Sequence, residues 1–479
     1  MPQRPTIAMI GAGSVVFAKR LLIDLLSWPS LQESDIRLMD IHQGRLDMIH
    51  ALATRLVEQE RLAARISQTT DRREALDGAG YVISMIQVGG LEMYEHDVEI
   101  PRRYGIDQTV GDTLGPGGVF RGLRTIPVLL SIGRDMEELC PHALFINYSN
   151  PMNINMWAFS RATRIRNVGL CHSVQGTAAR LARFMGVPLE ELSYWCAGIN
   201  HQAWYLELRR GHGPLAEDLY PLLRQKMQDP DIYAQDRVRF EVLRHFGYFV
   251  TESTHHMSEY VPWFRTTRER IEQFTSPRWD YFQICKQRQD PHYEKIERQV
   301  RGEEPIETRR THEYCSFIIN AMETNTPYLF NGNVPNTLGR STQLNGGAGS
   351  VLISNLPPNC NVEVPVLADG TGLHPCAIGD LPEPCAAINR TNVNVQALAV
   401  EGALAGDREM IYRAVQMDPL TSALLPLSRI REMVDELFAA EADYLPQFTR
   451  GRVWAGSATG DDHAPDGRVS ASVPPVATA

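Results

Sequence analysis

The stretch Thr6-Ile7-Ala8-Met9-Ile10-Gly11-Ala12-Gly13-Ser14-Val15-Val16 decides the fold. An apolar strand runs into a glycine turn and then into a helix-like segment at 16–27. Glycines at 11 and 13 permit a tight turn and let backbone N–H groups approach a pyrophosphate at a helix N-terminus. Val16 stands where a dinucleotide fingerprint has its third glycine. From these residues alone, a plain strand–helix turn reads equally well.

Working outward, apolar runs at 36–40, 81–88, 143–148 and 167–171 predict further strands, and 43–60 and 126–138 predict helices between them. Continuous Val/Ile/Leu/Met runs separated by helices indicate a parallel sheet covered on both faces. The fold class is α/β, with an N-terminal Rossmann-type, doubly wound parallel sheet. Asp40 closes the second run, where a carboxylate can accept hydrogen bonds from an adenosine ribose and favours NAD over NADP. It can equally cap the next helix. Gln87-Val88-Gly89-Gly90 is a further glycine-rich turn facing the same edge, with Gln87 a candidate cofactor contact.

The 479 residues imply two or three domains. With 43% hydrophobic and 22% charged residues, the chain can bury a large core, which excludes disorder as a whole. The formal charge of −10 argues against nucleic acid or an anionic membrane as partner. The eight cysteines form no CxxC pair, and neither a signal-peptide pattern nor an apolar run of membrane-spanning length is found. A reduced, cytoplasmic location is expected.

From about Trp195 the pattern changes. Helices are predicted at 232–246, 267–274, 293–300, 310–323, 392–406 and 407–415, with short strands at 203–208, 361–367 and 373–378. We expect 1–195 to be the NAD-binding domain. Residues 196–447 should form an α+β catalytic domain, holding substrate and metal, on the carboxyl ends of the first sheet. A long surface loop at 336–349 and a disordered tail at 448–479 complete the expectation.

Candidate chemistry sits where strands end. Cys171-His172-Ser173 follows the fifth predicted strand, and Asn200-His201 closes an apolar run at 195–199. Both open at the carboxyl edge, where open α/β sheets bind ligands. A thiolate and an imidazole can hold one divalent ion and leave positions for substrate oxygens. A cysteine after a buried strand is also an ordinary small core residue. Asn150 can hydrogen-bond a polyol or form an Asx turn before Pro151. Asp112 opens a glycine-rich loop, 112–118, suited to covering a ligand. The run 251–263 is dense in titratable and aromatic groups, and spacing singles out no catalytic residue in it.

In order, GAGS (11–14), LMD (38–40), DTLGPGG (112–118), NYSNPM (147–152), GLCHSVQGT (169–177), AGINH (197–201) and TESTHHMSEYVPWF (251–264) resemble the family 4 glycoside hydrolases. The CHSVQGT form is similar to the α-galactosidase (melibiase) branch. The resemblance runs from about residue 5 to 447. It departs at the 336–349 loop, which is longer than the family pattern, and past Gln447.

The resemblance implies an NAD- and manganese-dependent glycosidase acting on terminal α-galactosides, with α-galacturonides and α-glucosides as substrates of sister branches. It implies that Cys171 and His201 are metal ligands, Tyr260 the general base, and Asp112 a carboxylate that raises its basicity. His172 becomes the general acid and Asn150 a substrate-binding residue. Gly11, Gly13, Ser14 and Asp40 form the NAD site. In that scheme NAD takes hydride from sugar C3, the base removes the C2 proton, the C1 group leaves, water adds and the steps reverse. A homodimer or homotetramer is implied too.

Two other classes share the strand–helix start. A 2-hydroxy-acid dehydrogenase would need a His–Asp pair and a substrate arginine in place of Cys171 and His201. A non-catalytic NAD-binding protein would need neither those ligands nor Tyr260.

Overall fold

The computed structural model describes residues 4–14, 16–337 and 351–448. The expectations for most of the 336–349 loop and for the tail beyond Phe448 lie outside these residues.

Twelve strands form one sheet among the described residues. They are β1 (Thr6–Ile10), β2 (Asp35–Met39), β3 (Arg65–Thr69), β4 (Tyr81–Ser84), β5 (Leu144–Asn147), β6 (Arg166–Gly169), β7 (Leu192–Ile199), β8 (Gln202–Arg210), β9 (Glu217–Asp218), β10 (Tyr328–Pro335), β11 (Asn361–Asp369) and β12 (Gly372–Pro375). The order β3-β2-β1-β4-β5-β6 is parallel throughout, the arrangement of a dinucleotide-binding sheet. The sheet then continues through β10-β11-β7-β8-β9 in antiparallel pairs, with β12 on β11. Strands of the second half thus extend the first sheet, joining it where Asn333 of β10 faces Gly169 of β6.

The inner parallel strands are apolar on both faces because helices cover both. Ile7, Ala8, Met9, Val82, Ile83, Phe145 and Ile146 are all fully buried. The polar edge strand β3, Arg-Ile-Ser-Gln-Thr, lacks that signature and went unread. β4 stops at Ser84 rather than at 88, because its neighbours end level with it, at Ile10 and Asn147. β12 ends at Pro375, opposite Val366; β11 runs on to Asn361, but its next residue is Pro365, which has no N–H to donate.

The predicted helix at 126–138 is only the last part of Gly115–Leu139. Its first turn, Gly-Pro-Gly-Gly, reads as loop, yet proline fits an opening helical turn, where its missing N–H costs nothing. The predicted helix at 232–246 breaks into Pro230–Ala234 and Arg237–Phe246. β10 was missed because Asn331, Gly332 and Asn333 interrupt its apolar residues.

Candidate active site

β1 ends at Ile10, and the chain turns through Gly11 at φ +85 towards the helix Phe17–Leu26. A Cβ at Gly11 would lie 3.0 Å from the Met85 carbonyl oxygen, and one at Gly13 2.7 Å from Oδ2 of Asp40. Glycine is required at both. The Gly13 N–H donates to Asp40 Oδ2 at 2.8 Å, and the His42 N–H donates to Oδ1 at 2.9 Å. Asp40 therefore braces the glycine turn from the end of β2. It does not cap the next helix, whose N-cap is His42. Gln87 donates to the Gly90 carbonyl at 3.1 Å.

A cavity of ≈ 390 Å³ opens at this carboxyl edge, and Ser14, Gln87, Asp112, Asn150, Cys171, His172 and His201 all line it. Tyr260, 1% exposed, is not part of its wall. Cys171 lies two residues past β6. His201 sits in the two-residue turn between β7 and β8 at φ +63, a left-handed conformation that histidine adopts more readily than most residues. These two turns bring Cys171 Sγ to 3.1 Å from His201 Nε2.

Glu252 joins them. One donor atom each from Cys171, His201 and Glu252 lies within 4.8 Å of the others. Glu252 holds φ +81, a strained backbone for a residue with a side chain, costing roughly 1–3 kcal/mol and typical of functional positions. Nothing in the pattern of 251–263 separated it from its neighbours, because a left-handed glutamate leaves no trace in spacing.

Sulfur, imidazole nitrogen and carboxylate oxygen form a donor set suited to a divalent transition ion. The tautomer fits as well. The Thr113 hydroxyl gives its proton to Asp112 Oδ1 at 2.7 Å, so at 3.2 Å it can only accept from His201 Nδ1–H. In the neutral ring, Nε2 then keeps its lone pair towards Cys171. Burial pushes the Cys171 thiol up, but the His201 ring outweighs it and holds the thiol below its ordinary range. Burial lowers His201, and the Cys171 sulfur overrides that and raises it. Without a cation the pair holds a proton between Nε2 and Sγ, and a bound cation would take that proton's place and leave the neutral ring. Glu252 is likewise held low, burial being overcome by His256, 3.7 Å away, and by His201.

Asp112 Oδ2 accepts from the Asn150 amide at 3.2 Å, which joins two predicted residues from opposite sides of the cavity. Burial would raise its carboxyl, yet Arg121, His256 and His201 keep it below the carboxylate range. The Tyr260 hydroxyl lies 3.2 Å from His201 Nδ1. Burial, then the charges of Asp112, Glu259 and Glu252, push that phenol well above its ordinary value.

His172 is half exposed, and its Nε2 lies 2.6 Å from both oxygens of Glu313. Burial would raise Glu313, but His172 and then Arg20 hold it low. Sequence reasoning missed this partner, 141 residues away. It also missed Arg121, whose Nε donates to the Asn150 carbonyl at 3.2 Å and whose guanidinium lies 5.2 Å over Tyr94.

Fold and site together define a class: an enzyme built on a dinucleotide-binding sheet, with a Cys–His–Glu cluster that could hold a metal ion beside titratable groups at the sheet's carboxyl edge. The chain belongs to the family 4 glycosyl hydrolases, whose models match residues 6–187 and, for the C-terminal domain, 196–421.

The chain is 42% identical over 446 residues to an α-galactosidase of Bacillus subtilis (strain 168), covering 92% of this chain and 99% of that one. It is 39% identical over 457 residues to an α-galactosidase of Rhizobium meliloti (strain 1021), covering 92% and 89%. Among solved structures, a 6-phospho-α-glucosidase from gut microorganisms, in complex with NAD and Mn2+, shares the fold. Its TM-score is 0.75 at 19% identity, covering 93% of this chain and 99% of that one.

Proposed function

We propose that this enzyme is an NAD- and Mn2+-dependent α-galactosidase that hydrolyses terminal α-galactosides with no net redox. One observation carries the reading: Cys171, His201 and Glu252 share a cavity with Asp112 and Asn150, and His201 bridges them to Tyr260. Family membership and the two α-galactosidase relatives support it.

When bound, NAD would supply a hydride acceptor and the divalent ion Lewis acidity towards the sugar's oxygens. The chain's own residues do the rest. The glycine turn and the positive end of the Phe17–Leu26 helix receive the dinucleotide, with Ser14 and Gln87 on the cavity wall. Cys171, His201 and Glu252 hold the ion. Asp112 and Asn150 hold each other, and sugar hydroxyls, in place.

Tyr260 removes the C2 proton. His201 favours the phenolate by sharing its Nδ1–H between the Thr113 hydroxyl and the phenol oxygen while Nε2 faces the ligand cluster. His172, whose Nε2 lies 2.6 Å from the Glu313 carboxylate, gives a proton to the departing C1 oxygen. Water then adds at C1, and Tyr260 returns the proton to C2.

Arg121, on the cavity wall, donates to the Asn150 carbonyl and lies over Tyr94. The two α-galactosidase relatives favour a neutral galactoside over a galacturonide. The protein acts in the cytoplasm as a homodimer or homotetramer. No described helix is long and apolar enough to cross a membrane.

A panel of α-linked nitrophenyl glycosides, assayed with NAD and Mn2+ under reducing conditions, tests the assignment. The α-galactoside should be cleaved best, without accumulation of NADH. A preference of about tenfold or more, roughly 1.4 kcal/mol, for the uronide overturns it.

A further inference from the structure

The segment that carries Tyr260 is fastened to the loop that carries Asp112. Glu259, 1% exposed, directly precedes Tyr260. Its Oε1 accepts the Thr109 N–H at 2.5 Å, the Val110 N–H at 2.9 Å and the Thr109 hydroxyl at 2.9 Å. Its Oε2 accepts the Gly111 N–H at 3.0 Å and the Gln108 amide at 3.4 Å. Three consecutive backbone N–H groups thus converge on one buried carboxylate, and the next residue is Asp112.

Arg265 grips the other end of the same loop. Its buried guanidinium donates through Nε to the Asp107 carbonyl at 2.5 Å and through Nη1 to the Ser258 hydroxyl at 3.2 Å. Burial lowers Arg265, and the charges of Glu259 and Asp107 oppose that. Residues 258–265 therefore hold 107–111 at both ends. Neither Glu259 nor Arg265 lines the active cavity.

A buried anion that served stability alone could take its donors anywhere. Here they are main-chain groups of the loop whose following residues, Asp112 and Thr113, set the surroundings of Tyr260 and His201. We propose that Glu259 is a positioning residue: its carboxylate sets the register of Asp112 and Thr113 against Tyr260 and His201. The inference rests on the reading of Tyr260 as the base. It makes one residue responsible for assembling that base with its carboxylate.

The test is Glu259→Gln in enzyme loaded with NAD and Mn2+. The amide keeps the size, but whichever way it turns, its NH2 meets a main-chain N–H, so the loop shifts. The expected result is kcat lowered about tenfold or more, with KM and the calorimetric Mn2+ dissociation constant within about threefold of wild type. Solvent exchange at C2 should fall in step with kcat. Thr109→Val, which removes only the hydroxyl contact, should lower kcat far less.

If the Gln variant does not fold, Glu259→Asp keeps the charge but withdraws it by one methylene, and the same kcat-against-KM split is expected. A folded variant with a lower melting temperature but wild-type kcat overturns the proposal. So does one that loses Mn2+ affinity in proportion to kcat. Wild-type enzyme without C2 exchange overturns the reading of Tyr260 instead, and the kcat-against-KM split then decides the role of Glu259 by itself.

Discussion

Glu252→Gln removes one charge from the ligand cluster and leaves its shape. Donor atoms of Cys171, His201 and Glu252 lie within 4.8 Å of one another, so an ion among them is within that distance of the carboxylate. At an effective dielectric of about 20, a 2+ ion and a unit negative charge at this separation interact by roughly 7 kcal/mol. Desolvation and the remaining amide oxygen return most of that. The expected net loss is about 10- to 100-fold in Mn2+ affinity.

Calorimetry, or the paramagnetic signal of free Mn2+, measures that loss without reference to turnover. Zn2+ should lose less, because nitrogen and sulfur ligands suit it better than a hard oxygen does. Glu252→Gly separates ligation from strain. It removes the ligand and also relieves the φ +81 backbone, so it should bind Mn2+ as weakly as the Gln variant yet melt no lower than it. A folded Glu252→Gln with Mn2+ affinity within about twofold of wild type would refute the reasoning.

Gly13→Ala puts a Cβ 2.7 Å from Asp40 Oδ2, an overpacking worth about 1–3 kcal/mol. NAD affinity should fall about tenfold while Mn2+ affinity holds, and unchanged NAD affinity would remove this turn from the dinucleotide site. His172→Ala should lose severely on melibiose and mildly on a nitrophenyl galactoside, since an acid matters most for a poor leaving group; equal losses would make His172 only an orienter of Cys171. Burial pushes the Asp418 carboxyl from 3.8 up to about 6, partly opposed by the Thr421 hydroxyl and N–H. The native state therefore binds that proton more tightly than the unfolded chain, and stability falls as pH rises through this window. Asp418→Asn keeps a good helix cap and lifts a penalty on the order of 3 kcal/mol, so its melting temperature should gain on wild type from about pH 4 to about pH 7; a pH-independent difference would contradict this.

What was legible in the sequence was local. β1 reads correctly from its apolar run. The turn after it reads from Gly11, whose left-handed backbone and approach to the Met85 carbonyl suit glycine, and from Gly13, packed against the Asp40 side chain. Cys171 and His201 both lie just past strands that the sequence pattern predicts, but spacing left an ordinary core cysteine open and only the family resemblance implied their pairing. β7, which leads to His201, is antiparallel to its neighbours. Long-range pairings were not legible. Glu313 reaches His172 from 141 residues away, and Asp112, just before the helix Gly115–Leu139, meets Asn150 from 38 residues away. Glu252 needed a left-handed backbone that no spacing reveals. The sheet's continuation through β10 was hidden because Asn331 and Asn333 are buried on hydrogen bonds to the Cys196 and Gly169 carbonyls, where an apolar pattern was sought.

Hydrolysis of an α-galactoside in D2O tests the central claim most directly. If Tyr260 removes the C2 proton while NAD holds the C3 hydride, the released galactose carries deuterium at C2, and Tyr260→Phe loses both label and turnover. Galactose released by the wild-type enzyme without deuterium at C2 would contradict the account and leave direct displacement at C1 as the mechanism.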